Sequence, residues 1–235
     1  MIIRHVLEGG LPVQSAGDAG SARAVIVIQE AFGVNDHIRG VAERFADQGY
    51  YAVAPELFHR AGSPEVPYDQ LPQAMEAIAS LSSAGLTDDL LAARSFLDDA
   101  GYDVASTGIV GYCMGGSVAF YATTLGIVGA AATFYGGGVA TGRFGLPSLL
   151  EQASGLQAPW LGLYGDLDQS IPVEQVEQLR TAVATSGMPT QIVRYADAQH
   201  GFNCDARPAN YNAAASRDAM DRTFAWFAEH LHDRP

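Results

Sequence analysis

Cysteine is scarce in this chain. Two residues in 235, Cys113 and Cys204, stand in unlike contexts, which argues against a disulfide framework and fits a reducing compartment where a thiol stays free. Clustered cationic side chains are missing as well. Thirteen Lys and Arg against 26 Asp and Glu leave a formal net charge of −13, and without a basic patch nothing neutralises a phosphate backbone, so no nucleic-acid partner is expected. No uninterrupted apolar run reaches bilayer length, and Arg4, His5 and Glu8 break the N-terminus where a signal-peptide core would lie. The expectation is a cytoplasmic protein with no membrane contact. There is no C-x-x-C pair, no Cys/His cluster with metal-ligand spacing, and no G-x-G-x-x-G fingerprint, Gly136 to Gly138 included, so neither metal nor cofactor is expected. No repeat, low-complexity tract or linker divides a chain that is 48% apolar and 17% charged. Residues 1–235 are expected to form one domain around one core, as a monomer or small homo-oligomer.

What is present is an alternation of strand-like and helical runs, the pattern of a mostly parallel sheet covered on both faces. The β-branched run 22–29 reads as a buried strand, 38–49 as the helix after it, and 50–54 as the next strand, closed by Pro55. Residues 70–98 read as one or two helices, with Thr87, Asp88 and Asp89 capping the second. Further strands are read at 130–135, 160–164 and 191–195. Met220, Phe224, Phe227 and Leu231 recur at steps of four, three and four, which makes the closing segment an amphipathic helix against the sheet.

The most informative stretch is Gly108-Ile-Val-Gly-Tyr-Cys-Met-Gly-Gly116. A strand runs into a turn whose glycines remove the Cβ atoms that would clash, and a helix follows, so Cys113 is lifted into a cleft at a helix N-terminus. There the dipole and free N–H groups favour a thiolate and can receive a developing oxyanion. The plainer alternative is a structural cysteine in a glycine-rich turn. Downstream, the strand 160–164 ends in Gly165-Asp-Leu-Asp168, where a carboxylate belongs, and the strand 191–195 is followed by His200-Gly201-Phe202, where a base belongs. The order nucleophile, acid, histidine is that of the α/β-hydrolase fold. Asp166 competes with Asp168. His5, His37, His59, His230 and His232 read as solvated or packing residues, Ser117 as a capping or packing residue one turn into the helix, and Cys204 as a small buried hydrophobe. Glu30, at the end of a strand that should abut the elbow, is costly to bury unpaired and needs a donor or a raised pKa.

With Gln29-Glu-Ala-Phe-Gly-Val-Asn35, Gly111-Tyr-Cys-Met-Gly-Gly116, Asp168 and His200-Gly-Phe202 together, the chain resembles the dienelactone hydrolase family from end to end. The resemblance implies Cys113 as nucleophile, His200 as base, Asp168 as the residue orienting it, and an oxyanion hole from the N–H groups of Ala31 and Met114. It implies that Glu30 contacts the thiol at rest and takes its proton when substrate enters, so that Glu30 gates Cys113. The implied reaction is hydrolysis of a small-molecule lactone or activated ester. Family members proper hold the substrate carboxylate with two arginines. Here Cys204 stands four residues beyond His200, leaving Arg207 and Arg60 as the available cations, with Phe32 and Phe202 as further substrate contacts. Two other classes compete: a thiol-based redox or transfer protein, which would want a resolving cysteine near Cys113, and a noncatalytic ligand-binding relative, which would lack a triad member.

Overall fold

A computed structural model describes residues 1–235. The chain opens with an antiparallel pair, β1 (Ile3–Val6) and β2 (Pro12–Ala16), and β2 lies antiparallel on β4 (Tyr50–Pro55). From β4 the sheet continues in parallel through β3 (Arg23–Ile28), β5 (Thr107–Tyr112), β6 (Ala130–Phe134), β7 (Trp160–Gly165) and β8 (Thr190–Tyr195), giving the order β1-β2-β4-β3-β5-β6-β7-β8. The helices are α1 (Asp36–Asp47), α2 (Leu71–Ala79), α3 (Ser83–Asp99), α4 (Met114–Thr124), the one-turn α5 (Leu149–Gln152), α6 (Val173–Val183) and α7 (Ala213–His230). They cover both faces of the sheet. The central strands are therefore continuous apolar runs and not alternating ones, as in the run from Ala24 to Ile28, which is wholly buried. The strand order reverses between β3 and β5. Crevices at the C-terminal ends of strands flanking such a reversal are where open α/β sheets hold ligands.

The predicted strands are present within a residue or two of the expected bounds, and the closing helix is present from Ala213 to His230, with Leu231 just past its end. Phe227 of α7 is fully buried, and Phe224, edge-on, and Phe227, tilted, pack against Phe45 of α1 at 5.1 and 6.0 Å between ring centroids. The expected cap at Thr87 to Asp89 is corrected. Ser82 caps α3 by accepting from Gly85 N–H at 3.2 Å. Thr87 returns its hydroxyl to the Ser83 carbonyl, and Asp89 is a buried acceptor for Arg60. The edge pair β1 and β2 was not foreseen, because β1 is short and mostly exposed. It is held by a polar clamp: Arg4 donates two bonds to Glu56 at 2.7 and 2.8 Å, and Gln14 donates a third at 2.9 Å.

The sharpest packing constraint lies at the turn from β5 to α4. A Cβ on Gly111 would sit 1.9 Å from the Gly115 carbonyl oxygen, one on Gly115 2.4 Å from the Gln29 oxygen, and one on Gly116 2.7 Å from the Gly136 Cα. All three obstacles are backbone, which cannot swing aside. By contrast, a Cβ on Gly40, inside α1, would meet nothing within 4 Å. Gly115→Ala is expected to destabilise the fold by about 1–3 kcal/mol or more, while Gly40→Ala stabilises it by about 0.5–1 kcal/mol. Thermal unfolding of the two variants beside the parent should move Tm in opposite directions. A neutral Gly115→Ala would show that α4 can retreat from β3.

Candidate active site

Three glycines let α4 start directly above the ends of β3 and β5, and Cys113 is the residue that absorbs the turn. Its backbone adopts φ 55° and ψ −116°, a left-hand value that costs a non-glycine residue on the order of 1–3 kcal/mol. The Cys113 N–H is anchored to the Phe134 carbonyl at 3.0 Å, so the side chain has one way to point. Sγ lies 3.0 Å from Nε2 of His200, and Nδ1 of His200 lies 2.6 Å from Oδ2 of Asp168.

Each partner is held in turn. Asp168 is 4% exposed, and its other oxygen accepts from the Ser170 N–H at 2.8 Å and the Ser170 hydroxyl at 2.6 Å, which leaves Oδ2 for the histidine. Burial alone would raise its carboxyl; the His200 and Ser170 donors outweigh that and hold it below the ordinary carboxylate value. The His200 carbonyl accepts from the Asn210 amide at 2.7 Å, fixing the loop after β8. Burial opposes charge on His200, yet the Cys113 sulfur and the Asp168 carboxylate overcome it and push the imidazole up to about 10. Sulfur, imidazole and carboxylate thus stand in one line of contacts. Asp166, the competing acid, is taken by Arg194 in a two-bond pair at 2.7 Å each.

Ala31 and Met114 line the same cavity as Cys113. Met114 opens α4, so its N–H has no helical acceptor, and the N–H of Ala31 has no backbone acceptor either. Both residues therefore bring to the cleft an N–H without a backbone partner.

The cleft has two lobes meeting at Cys113, His200, Ala31, Leu71, Arg143 and Ser170. One, of about 510 Å³, is apolar, with Met75, Ile78, Met114 and Phe144. The other, of about 600 Å³, carries Phe32, Gln169, Gln199 and Arg207. Arg207 stacks over Phe32 and Tyr68 with its guanidinium carbon 5.7 and 5.6 Å from the ring centroids.

Not every expected contact is brought to the cleft. The Arg60 guanidinium is held by the buried Asp89 through bonds of 2.8 and 2.9 Å and lines neither lobe. Phe202 is fully buried beneath the site, edge-on to Tyr135 at 5.3 Å. Glu30 makes no bond to Cys113; its carboxylate accepts from the Tyr135 hydroxyl at 3.2 Å. Cys204 is fully buried with its thiol 3.2 Å from the Tyr68 oxygen, and burial pushes that thiol up to about 11. Sequence reasoning missed Arg143, Ser170 and Tyr135. Arg143 and Tyr135 carried no motif, while Ser170, two residues beyond an acid at a strand end, could have been read as its hydrogen-bond partner.

Comparison with known proteins gives a consistent answer. The sequence model of the dienelactone hydrolase family matches residues 11–231. An Escherichia coli O157:H7 protein named "Putative carboxymethylenebutenolidase" is 37% identical over 214 residues, which cover 90% of this chain and 78% of that one. A Rhodococcus opacus "Carboxymethylenebutenolidase" is 28% identical over 229 residues, 93% of this chain and 86% of that one. The crystal structure of a "Putative Dienelactone Hydrolase" from Klebsiella pneumoniae superposes with a TM-score of 0.87 at 34% identity, covering 98% of this chain and all of the other. With the elbow, the sheet order and these matches together, the chain belongs to the dienelactone hydrolase family of α/β-hydrolases and is a hydrolase of the lactone and carboxylic-ester class.

Proposed function

We propose that Cys113 is the nucleophile of a small-molecule lactone or activated-ester hydrolase, with His200 as proton carrier and Asp168 as the carboxylate that orients it. The observation that carries this reading is the unbroken line of contacts from Sγ through the imidazole to Oδ2, at 3.0 and 2.6 Å. The thiolate adds to the ester carbonyl, and the N–H groups of Ala31 and Met114 hold the resulting oxyanion. As the C–O bond breaks, the His200 imidazolium gives its proton to the departing oxygen, leaving an acyl thioester. Neutral His200 then takes a proton from water, hydroxide adds to the thioester, and collapse expels the thiolate beside a restored imidazolium. Each oxyanion donor in such a site is worth roughly 3–4 kcal/mol. Because a thiolate leaves more readily than an alkoxide, lactones that expel a stabilised enolate suit this nucleophile better than alkyl esters or amides.

An anionic substrate fits the cleft. In a chain of net charge −13, Arg143 and Arg207 both reach the polar lobe and neither is in an ion pair. Arg143 and Arg207, not Arg60, are therefore proposed to meet the substrate carboxylate. Glu30 is proposed to gate the thiol by accepting its proton when Cys113 turns from His200, with Tyr135 holding the carboxylate meanwhile. The free state of both cysteines suits a reducing cytoplasm.

Hydrolysis of cis- and trans-dienelactone beside p-nitrophenyl acetate tests the nucleophile: Cys113→Ala is expected to abolish turnover of each substrate that the parent accepts. The imidazolium is available below its folded pKa and lost above it, so the alkaline limb of kcat/KM should fall near pH 10 and move to lower pH in Asp168→Asn. A limb near pH 7 that Asp168→Asn leaves in place would rule out the pair. Arg143→Ala and Arg207→Ala should each raise KM for the anionic lactone about tenfold or more, the range of a lost charged hydrogen bond, and hardly affect the neutral ester. Arg60→Ala should leave both KM values alone. For Glu30→Gln, the rate of thiol alkylation against pH should shift, and an unchanged profile with unchanged turnover would exclude the gate.

A further inference from the structure

Outside the line from Cys113 to Asp168, three buried groups of different chemistry converge. The Glu30 carboxylate, the His37 imidazole and the Cys204 thiol each offer a ligand atom within 4.8 Å of the other two. Glu30 is 1% exposed, Cys204 fully buried, and the His37 side chain 1% exposed. Glu30 Oε2 and His37 Nε2 have no hydrogen-bond partner at all, and no arginine bonds to any of the three. A buried carboxylate oxygen and a buried ring nitrogen left together without a partner call for something between them.

The arrangement meets the requirements of a metal ion. Bonds of about 2.0–2.3 Å to a tetrahedral zinc-class ion place neighbouring ligand atoms roughly 3.3–3.7 Å apart, so the three atoms, which lie within 4.8 Å of one another, draw closer on binding. His37 Nδ1 lies 3.4 Å from Asp205 Oδ1. A carboxylate on one ring nitrogen leaves the other as a lone-pair donor and fixes the ring, the usual outer support of a metal-bound histidine. Asp205 itself is largely exposed, so it stands where an ion would enter. The Tyr68 hydroxyl, which accepts from the Cys204 thiol, can turn and donate to a thiolate.

We propose that Glu30, His37 and Cys204 form a site for a zinc-class divalent cation. On binding, Cys204 releases its proton to solvent, and thiolate and carboxylate together balance the charge of the ion. The sulfur, nitrogen and oxygen donors select zinc, cobalt or cadmium over magnesium or calcium. Such an ion staples the segment from Glu30 to His37, which carries Ala31, to the segment from His200 to Cys204, which carries the histidine. While bound it also occupies the carboxylate of Glu30, so the acceptor proposed for the Cys113 proton is free only when the ion is absent. Sequence spacing could not show this cluster, since Cys204 is distant in the chain from the other two.

The test is cobalt(II) titration of the folded Cys113→Ser enzyme, in which Cys204 is the remaining thiol. One cobalt per chain with thiolate-to-cobalt charge-transfer absorption is expected. Adding Cys204→Ser should remove the absorption. His37→Gln should weaken binding at least tenfold, and the surface change Asp205→Asn by about tenfold, with melting curves reporting that each variant is folded. Absence of the absorption in Cys113→Ser overturns the site, as does a cobalt affinity that neither His37→Gln nor Asp205→Asn alters. Because Cys113→Ser already lacks the proposed nucleophile, the outcome is independent of the hydrolytic mechanism.

Discussion

Everything at this site depends on how closely α4 can approach the ends of β3 and β5. Gly111, Gly115 and Gly116 have no room for a Cβ, and the atoms in the way are backbone carbonyls and a Cα of neighbouring elements. That contact forces Cys113 to φ 55°, and the strain is borne by the rest of the sheet. The strained residue is the one whose side chain emerges into the cleft. The same contact puts the start of α4 beside the loop after β3, so Ala31 and Met114 line one cleft. Had either interior glycine carried a side chain, the helix would stand off, and sulfur, donors and histidine would no longer share a centre.

The electrostatics follow from that geometry. Asp168 is deeply buried, and its two oxygens have divided tasks, one for Ser170 and one for His200. The imidazole sits between carboxylate and sulfur, and both favour its protonated form over the opposing effect of burial. The wider charge distribution also matters. The protein is strongly acidic, and most of its arginines are spent on carboxylates, Arg60 on Asp89 and Arg194 on Asp166 among them. Arg143 and Arg207, exposed or half-buried along one lobe, are positive features in a negative surface.

How far the residues could be read in advance varied with the kind of signal. The parallel core was legible because strands buried on both faces must be continuous apolar runs, and α7 because its apolar residues keep helical steps. Cys113 and its glycines were legible for steric reasons that hold in any fold. Asp166 and Asp168 were equally placed at the strand end, and only tertiary contacts separate them: Asp166 lies where Arg194 of β8 reaches it, while Asp168 turns inward to His200. Arg60 misled because an arginine in a loop near the site looks available, and its commitment to Asp89 is a contact between residues 29 positions apart. Thr87 to Asp89 misled in a similar way. They are good capping residues by type, but Ser82 starts the helix five residues earlier.

By itself the sequence determined the chemistry on offer: one thiol in a glycine turn, an acid and a histidine after later strands, and the alternation that builds a parallel sheet. These are local properties, set by sterics, periodicity and side-chain type. Only the tertiary structure decided which groups meet. It turned Glu30 to Tyr135, withdrew Arg60, brought Arg143 to the cleft, and gathered Glu30, His37 and Cys204 below it. Those outcomes depend on strand order and on contacts across large sequence separations, where the direction of a side chain is set by neighbours that no local pattern names.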